Sequence, residues 1–148
     1  MRSIFSPLER QALNRRIDRL RPDSRALWGR MNAHQMICHL RDAIESGFGD
    51  ATATPATGAL TRFPMKWLVI NVLPWPKGKL QSPPDRLVTQ PTDWETDIAA
   101  LRSALERAAA KGPNAEWPAS DLFGQMTGRD WGALIRTHMN HHLKQFGV

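Results

Sequence analysis

Apolar residues recur at helical spacing in four segments of the chain, and a helix-start signal precedes each of them. Ser6-Pro7-Leu8-Glu9 combines a capping serine, a proline in the first turn and a glutamate three residues after the cap. Asn32-Ala33-His34-Gln35 repeats the spacing with asparagine and glutamine, and Thr92-Asp93-Trp94-Glu95 with threonine and glutamate. Thr127-Gly128-Arg129-Asp130 does so with a shorter acid. Stops follow at Gly47 and Gly49, at Gly112-Pro113 and at Gly147. These signals predict long helices over 6–20, 32–47, 92–111 and 127–146.

The stretch 62–73 behaves differently. Phe63-Pro64-Met65-Lys66-Trp67-Leu68-Val69-Ile70 is apolar almost all round, compatible with a strand or a short buried helix, and we read it as a helix lying on the bundle. Residues 50–61, rich in Ala, Thr and Gly, and 74–91, with five prolines, read as connections within one domain spanning 1–148. No segment alternates with period two. An all-α fold, a bundle of four helices with an additional short helix between the second and third, is the expectation.

Composition narrows the function classes. A chain of 148 residues with 41% hydrophobic and 23% charged residues has the make-up of a globular domain. Its one cysteine, Cys38, cannot close an internal disulfide. The N-terminal residues contain no apolar run of the signal-peptide kind, and the apolar stretch from Trp67 to Pro76 is too short to span a bilayer. A cytoplasmic protein without membrane or nucleic-acid partners is expected. The net charge of +6 does not alter that, because the Lys and Arg residues are spread along the chain and do not alternate with aromatic ones.

The five histidines change the picture: His34, His39, His138, His141 and His142 all fall on the second and fourth predicted helices. At about 100° per residue, Trp131, Leu134, Ile135, Met139 and Phe146 form one apolar stripe. His138 and His142 lie within roughly 30° of its centre, and His141 lies towards an edge. Imidazoles on an apolar face lose water and need partners, and a pair at i and i+4 can hold one ion between them. The alternative is a pair of core histidines, each hydrogen-bonded to a carbonyl or carboxylate. On the second helix Met36, Leu40, Ala43, Ile44 and Gly47 set the apolar face. His39 flanks that face, whereas His34 points away among Arg41 and Glu45. His39, His138 and His142 are therefore the candidate ligands of one divalent metal, with an open fourth position. Cys38, about 100° from His39, reads as a packed or idle thiol; Asp42, one turn beyond His39, reads as a surface acid in preference to a partner of that ring, and Gln145 as a group able to orient a ligand or a ring. Trp94 and Trp131 are expected in the core, with Trp67 and Trp75 divided between core, pocket lining and dimer face.

Trp28, followed by Met31-Asn32-Ala33-His34-Gln35-Met36-Ile37-Cys38-His39-Leu40, resembles the second helix of DinB-like proteins. The segments Phe123 to Trp131 and His138 to Gly147, the latter an H-x-x-H-H-x-x-Q-F-G ending, are similar to a largely uncharacterised branch of that superfamily. The resemblance implies a four-helix bundle, often dimeric, holding zinc, nickel or iron on three histidines that match His39, His138 and His142. It implies no DNA binding. Some characterised relatives are metal-dependent thiol transferases or isomerases acting with low-molecular-weight thiols. A small-molecule substrate or thiol, and a homodimer, are thus the implied partners, and a hydrolase or a non-catalytic metal or ligand sensor is the alternative. One departure stands out: Ser120-Asp121 occupies the place where members of the branch often carry His-Pro.

Overall fold

The computed structural model describes residues 2–49, 57–77 and 89–148. Among them the chain is helical: α1 (Pro7–Ile17), α2 (Ala33–Glu45), α3 (Met65–Asn71), α4 (Trp94–Lys111) and α5 (Gly128–Gln145), with short 3-10 turns at Ser46–Phe48 and Ala59–Thr61. The only β pairing among the described residues is an isolated bridge between Ser120 and Gly124. Most of the predicted connection 50–61 and the larger part of 74–91 lie outside the described residues.

Two of the four start signals operate as read. Asn32 and Gln35 form a reciprocal capping box on α2, as do Thr127 and Asp130 on α5. The other two differ. Ser6 stands at the N-cap of α1 without a capping side-chain bond, and Glu9 is drawn instead to the Arg136 guanidinium of α5 at 3.0 Å. On α4 the cap is Asp93, which accepts from Thr96 N at 2.9 Å, because Thr92 is held by Asp97. Helix α1 also ends earlier than predicted. Arg19 N bonds Arg16 O and Leu20 N bonds Ile17 O, so the last residues tighten into i→i+3 turns that bury Leu20.

The packing explains which faces are apolar. Helix α2 lies between α4 and α5, and α5 in turn meets α1, α2 and α3. Met36, Ile37, Leu40, Leu101, Leu105, Met139 and Leu143 are fully buried at these contacts. Helix α3 is the expected short helix lying on the bundle, and it is buried on one side only. Only Ile70 is buried, while Phe63 is 82% exposed and Trp67 45% exposed. Among the described residues this seven-residue helix rests mainly on α5 and on the short turn Ala59–Thr61. No helix among the described residues is long and apolar enough to cross a membrane.

Candidate metal centre

His39 from α2 meets His138 and His142 from α5 where the two helices cross. His138 Nε2 lies 3.0 Å from His39 Nε2 and 3.0 Å from His142 Nε2. One ligand atom from each of the three rings falls within a common span of 4.8 Å. Nitrogen ligands at the usual zinc distance sit about 3.3–3.4 Å apart in a tetrahedron, so the rings stand close to the separation an ion requires. The three predicted residues are thus brought together. His39 and His142 are buried and His138 is half-buried.

Proton placement decides what these atoms offer. The Gln145 amide Nε2 donates to the Trp28 carbonyl at 2.6 Å, which turns Oε1 towards His142 Nδ1 at 2.7 Å. An amide oxygen only accepts, so Nδ1 carries the proton of the neutral ring and Nε2 is left with its lone pair. At most one N–H can then sit between the three Nε2 atoms, and the remaining lone pairs converge. Burial is the largest cause lowering the proton affinity of each ring. His142 falls to about 3, with the neighbouring His39 adding to the effect, and His138 falls well below the usual imidazole range. His39 is lowered as well. Three neutral imidazoles, two buried and one half-buried, with converging lone pairs are the donor set that a divalent cation of the zinc type accepts, and the described cluster contains no carboxylate that would demand a harder ion.

Aromatic rings flank the cluster. Trp75 lies tilted against His138 and His141, with centroids 5.6 and 5.8 Å away, and its indole N–H is held by Val69 O. Trp75 is therefore half-buried against the cluster, whereas Trp67 is 45% exposed. His141 is half-buried, in contact with Trp28 edge-on and with His142, and burial lowers its proton affinity too. Lys77 Nζ stands 4.7 Å above the Trp28 ring.

Two sequence expectations, those for His34 and Asp42, are corrected. His34 does not point away from the protein: its Nε2 lies 2.7 Å from the buried carboxylate of Asp97 on α4, and Trp94 stacks edge-on against the ring. Cys38, one turn on, is buried as expected, and burial, followed by the same carboxylate, pushes the thiol up to about 11. The reason is that α2 has two covered flanks, one towards α4 carrying His34 and Cys38, the other towards α5 carrying His39. A wheel drawn around one apolar stripe sees only one of them. Asp42 is not a free surface acid either, since it accepts from the backbone N–H and hydroxyl of Thr89 at 3.0 and 2.7 Å.

His34, Cys38 and Asp97 also form a close triplet. Their polar atoms are already spoken for: Asp97 Oδ2 receives His34 and the Thr92 N–H, and Oδ1 faces Arg41 at 3.7 Å. The hydrogen bond from Thr92, ahead of that from His34, keeps the Asp97 carboxyl ionised below its usual range. This is a hydrogen-bonded clamp joining α2, α4 and the segment before α4. Sequence reading overlooked Asp97, although its signal is present: an acid four residues before Leu101 on the stripe continued by Ala104, Leu105 and Ala108.

Ser120, at the departure from the branch pattern, is buried and turns inward on its own loop, its hydroxyl accepting from Leu122 N and Phe123 N at 3.2 Å. Two surface grooves are visible elsewhere, one lined by Arg41, Asp42, Glu45 and Arg107, the other by Ile17, Leu20, Trp94 and Arg102. Neither includes a histidine of the cluster.

Comparison with known proteins gives one family. No curated protein and no solved structure matches the chain significantly. A family profile described as "Protein of unknown function (DUF1569)" matches residues 6–147, nearly the whole length. The chain belongs to the DUF1569 family.

Proposed function

We propose that the protein is a DinB-like four-helix-bundle metalloprotein that holds one divalent ion on His39, His138 and His142 and uses it as a metal-dependent enzyme on a small thiol-bearing or hydrolysable substrate. The observation that carries this reading is the convergence of three Nε2 atoms, two of the separations being 3.0 Å, with the His142 lone pair turned inwards by Gln145. Without a cation at most one N–H serves both 3.0 Å contacts, which leaves the converging lone pairs under-satisfied.

A divalent ion bound there would polarise a thiol, water or carbonyl group at a fourth position and make a nucleophile available at neutral pH. The protein's own part is to keep the three rings neutral by burial, to hold their directions, and to line one flank with Trp75 and His141. Exposed Phe63, Trp67, Val72 and Leu73 around α3 support a homodimer through that face. The resemblance and the dispersed positive charge support a partner set of small molecules, with no nucleic acid or membrane.

A second reading, a metal or ligand sensor without turnover, is favoured by one observation: neither groove described above is lined by the three histidines. The experiment that decides is metal analysis of untagged protein, followed by assay of thiol addition to an electrophile with and without chelator. About one equivalent of metal and chelator-sensitive turnover is expected. Metal without turnover would favour the sensor, and a protein that neither contains nor accepts metal would remove both.

A further inference from the structure

Gln145 is more deeply engaged than a surface helix terminus requires. It is the last residue of α5, yet it is only 4% exposed. Its backbone carbonyl accepts from Leu27 N at 2.7 Å, and its side-chain amide spans from Trp28 O to His142 Nδ1. Residues 27–29 are thus strapped across the end of α5, and the strap is what sets the amide the right way round.

Gly29 makes this geometry possible. Its φ of +84° lies in the left-handed region, and a Cβ built there would stand 2.5 Å from Gln145 Nε2. Any side chain at position 29 would both strain the backbone and displace the amide nitrogen from the Trp28 carbonyl. Without that carbonyl the amide has no reason to present Oε1, not Nε2, to His142. A reversed amide would donate to Nδ1, place the ring proton on Nε2 and aim it into the cluster.

Resting on the metal reading above, we infer that Gly29, Trp28 O and Gln145 form a positioning relay that fixes the His142 tautomer, so that metal affinity is set in part by a glycine that touches none of the ligands. Gln145 is a positioning residue: its amide nitrogen reads the strap, its oxygen delivers the effect to the His142 ring, and the product is a lone pair held ready at Nε2. Orienting partners of this kind commonly govern metal affinity by a factor of about 10–100.

The test uses the full chain carrying isotope-labelled histidine, and zinc as the probe. In metal-free protein near neutral pH, nitrogen chemical shifts should report the Nδ1–H tautomer for His142. Gln145→Met, which keeps the size and removes both hydrogen bonds, should abolish that preference and weaken zinc binding by about 10–100-fold in calorimetric titration. Gly29→Ala should do the same from a distance. Gln145→Glu retains an acceptor for Nδ1–H, and should keep the tautomer and lose at most a few-fold in affinity. An Nε2–H tautomer in the unsubstituted protein would overturn the relay, as would Gln145→Met and Gly29→Ala proteins that hold the Nδ1–H form or bind zinc as tightly as the parent. The tautomer is read without metal, so a parent protein that bound no zinc would sink the metal reading while the shifts still decided the relay. Should Gln145→Met fail to fold, Gly29→Ala against Gln145→Glu makes the same discrimination.

Discussion

Removing His138 should separate two effects that the native protein combines. Its Nε2 is the atom shared by both 3.0 Å contacts, so His138→Ala leaves His39 and His142 without the ring between them. With zinc at about a hundredfold above its dissociation constant, mass action adds about 2.7 kcal/mol to the stability of the native protein. For a domain of this size that corresponds to a rise of about 5–11 °C in Tm. The His138→Ala protein, with two ligands remaining, should show little of that rise at the same zinc concentration. In metal-free protein the sign reverses on acidification. The folded proton affinities of His39, His138 and His142 are all depressed, so the unfolded chain binds protons first as pH falls through about 6.5. Stability is therefore full above that value and lost below it, with the loss from His142 continuing towards about 3. Each such histidine steepens the loss by up to about 1.4 kcal/mol per pH unit. His138→Ala should therefore flatten the acid limb of the metal-free protein by about one proton, even as it abolishes the zinc response. Thermal melts across pH 4–8, with zinc and with chelator, measure both. An equal zinc-induced rise in native and His138→Ala proteins would refute the ligand assignment, and an unchanged acid limb would refute the burial argument.

His34→Ala should leave zinc content and the zinc-induced Tm rise intact while lowering stability by about 1–3 kcal/mol, because the buried Asp97 loses a partner; metal analysis beside denaturant melts checks both halves. Cys38, buried and with its thiol pushed up to about 11, should resist alkylation at pH 8 in the native protein and react readily in urea, as mass spectrometry would show. Thr127→Ala, which removes one half of the α5 capping box, should cost about 1 kcal/mol in urea melts, since the hydroxyl accepts from Asp130 N at 3.1 Å. In sedimentation at micromolar concentration, the exposed apolar side of α3 should give a dimer that Trp67→Glu dissociates, and a monomer at every concentration would remove the dimer.

What could be read from the chain alone followed from local physics. Capping residues at 32–35 and 127–130 act over three positions, so α2 and α5 were legible, and with them the i, i+4 pairing of His138 and His142. The inward direction of His39 was legible too, because it flanks a stripe whose apolar members are adjacent on one helix. Local rules failed wherever a residue had a stronger partner distant in sequence. Glu9 gives up its place at the start of α1 for Arg136, and Thr92 yields the cap of α4 to Asp93 because Asp97 holds it. His34 could not be placed by a single-stripe wheel, since only the packing of α2 between α4 and α5 creates a second buried flank. The same holds for the His142 lone pair. Residues 138, 142 and 145 lie on one helix, but the direction of the Gln145 amide is set by the Trp28 carbonyl, 117 residues away in sequence. Helix formation is decided within a few turns, whereas the proton on a ring is decided by whichever acceptor the folded chain brings beside it.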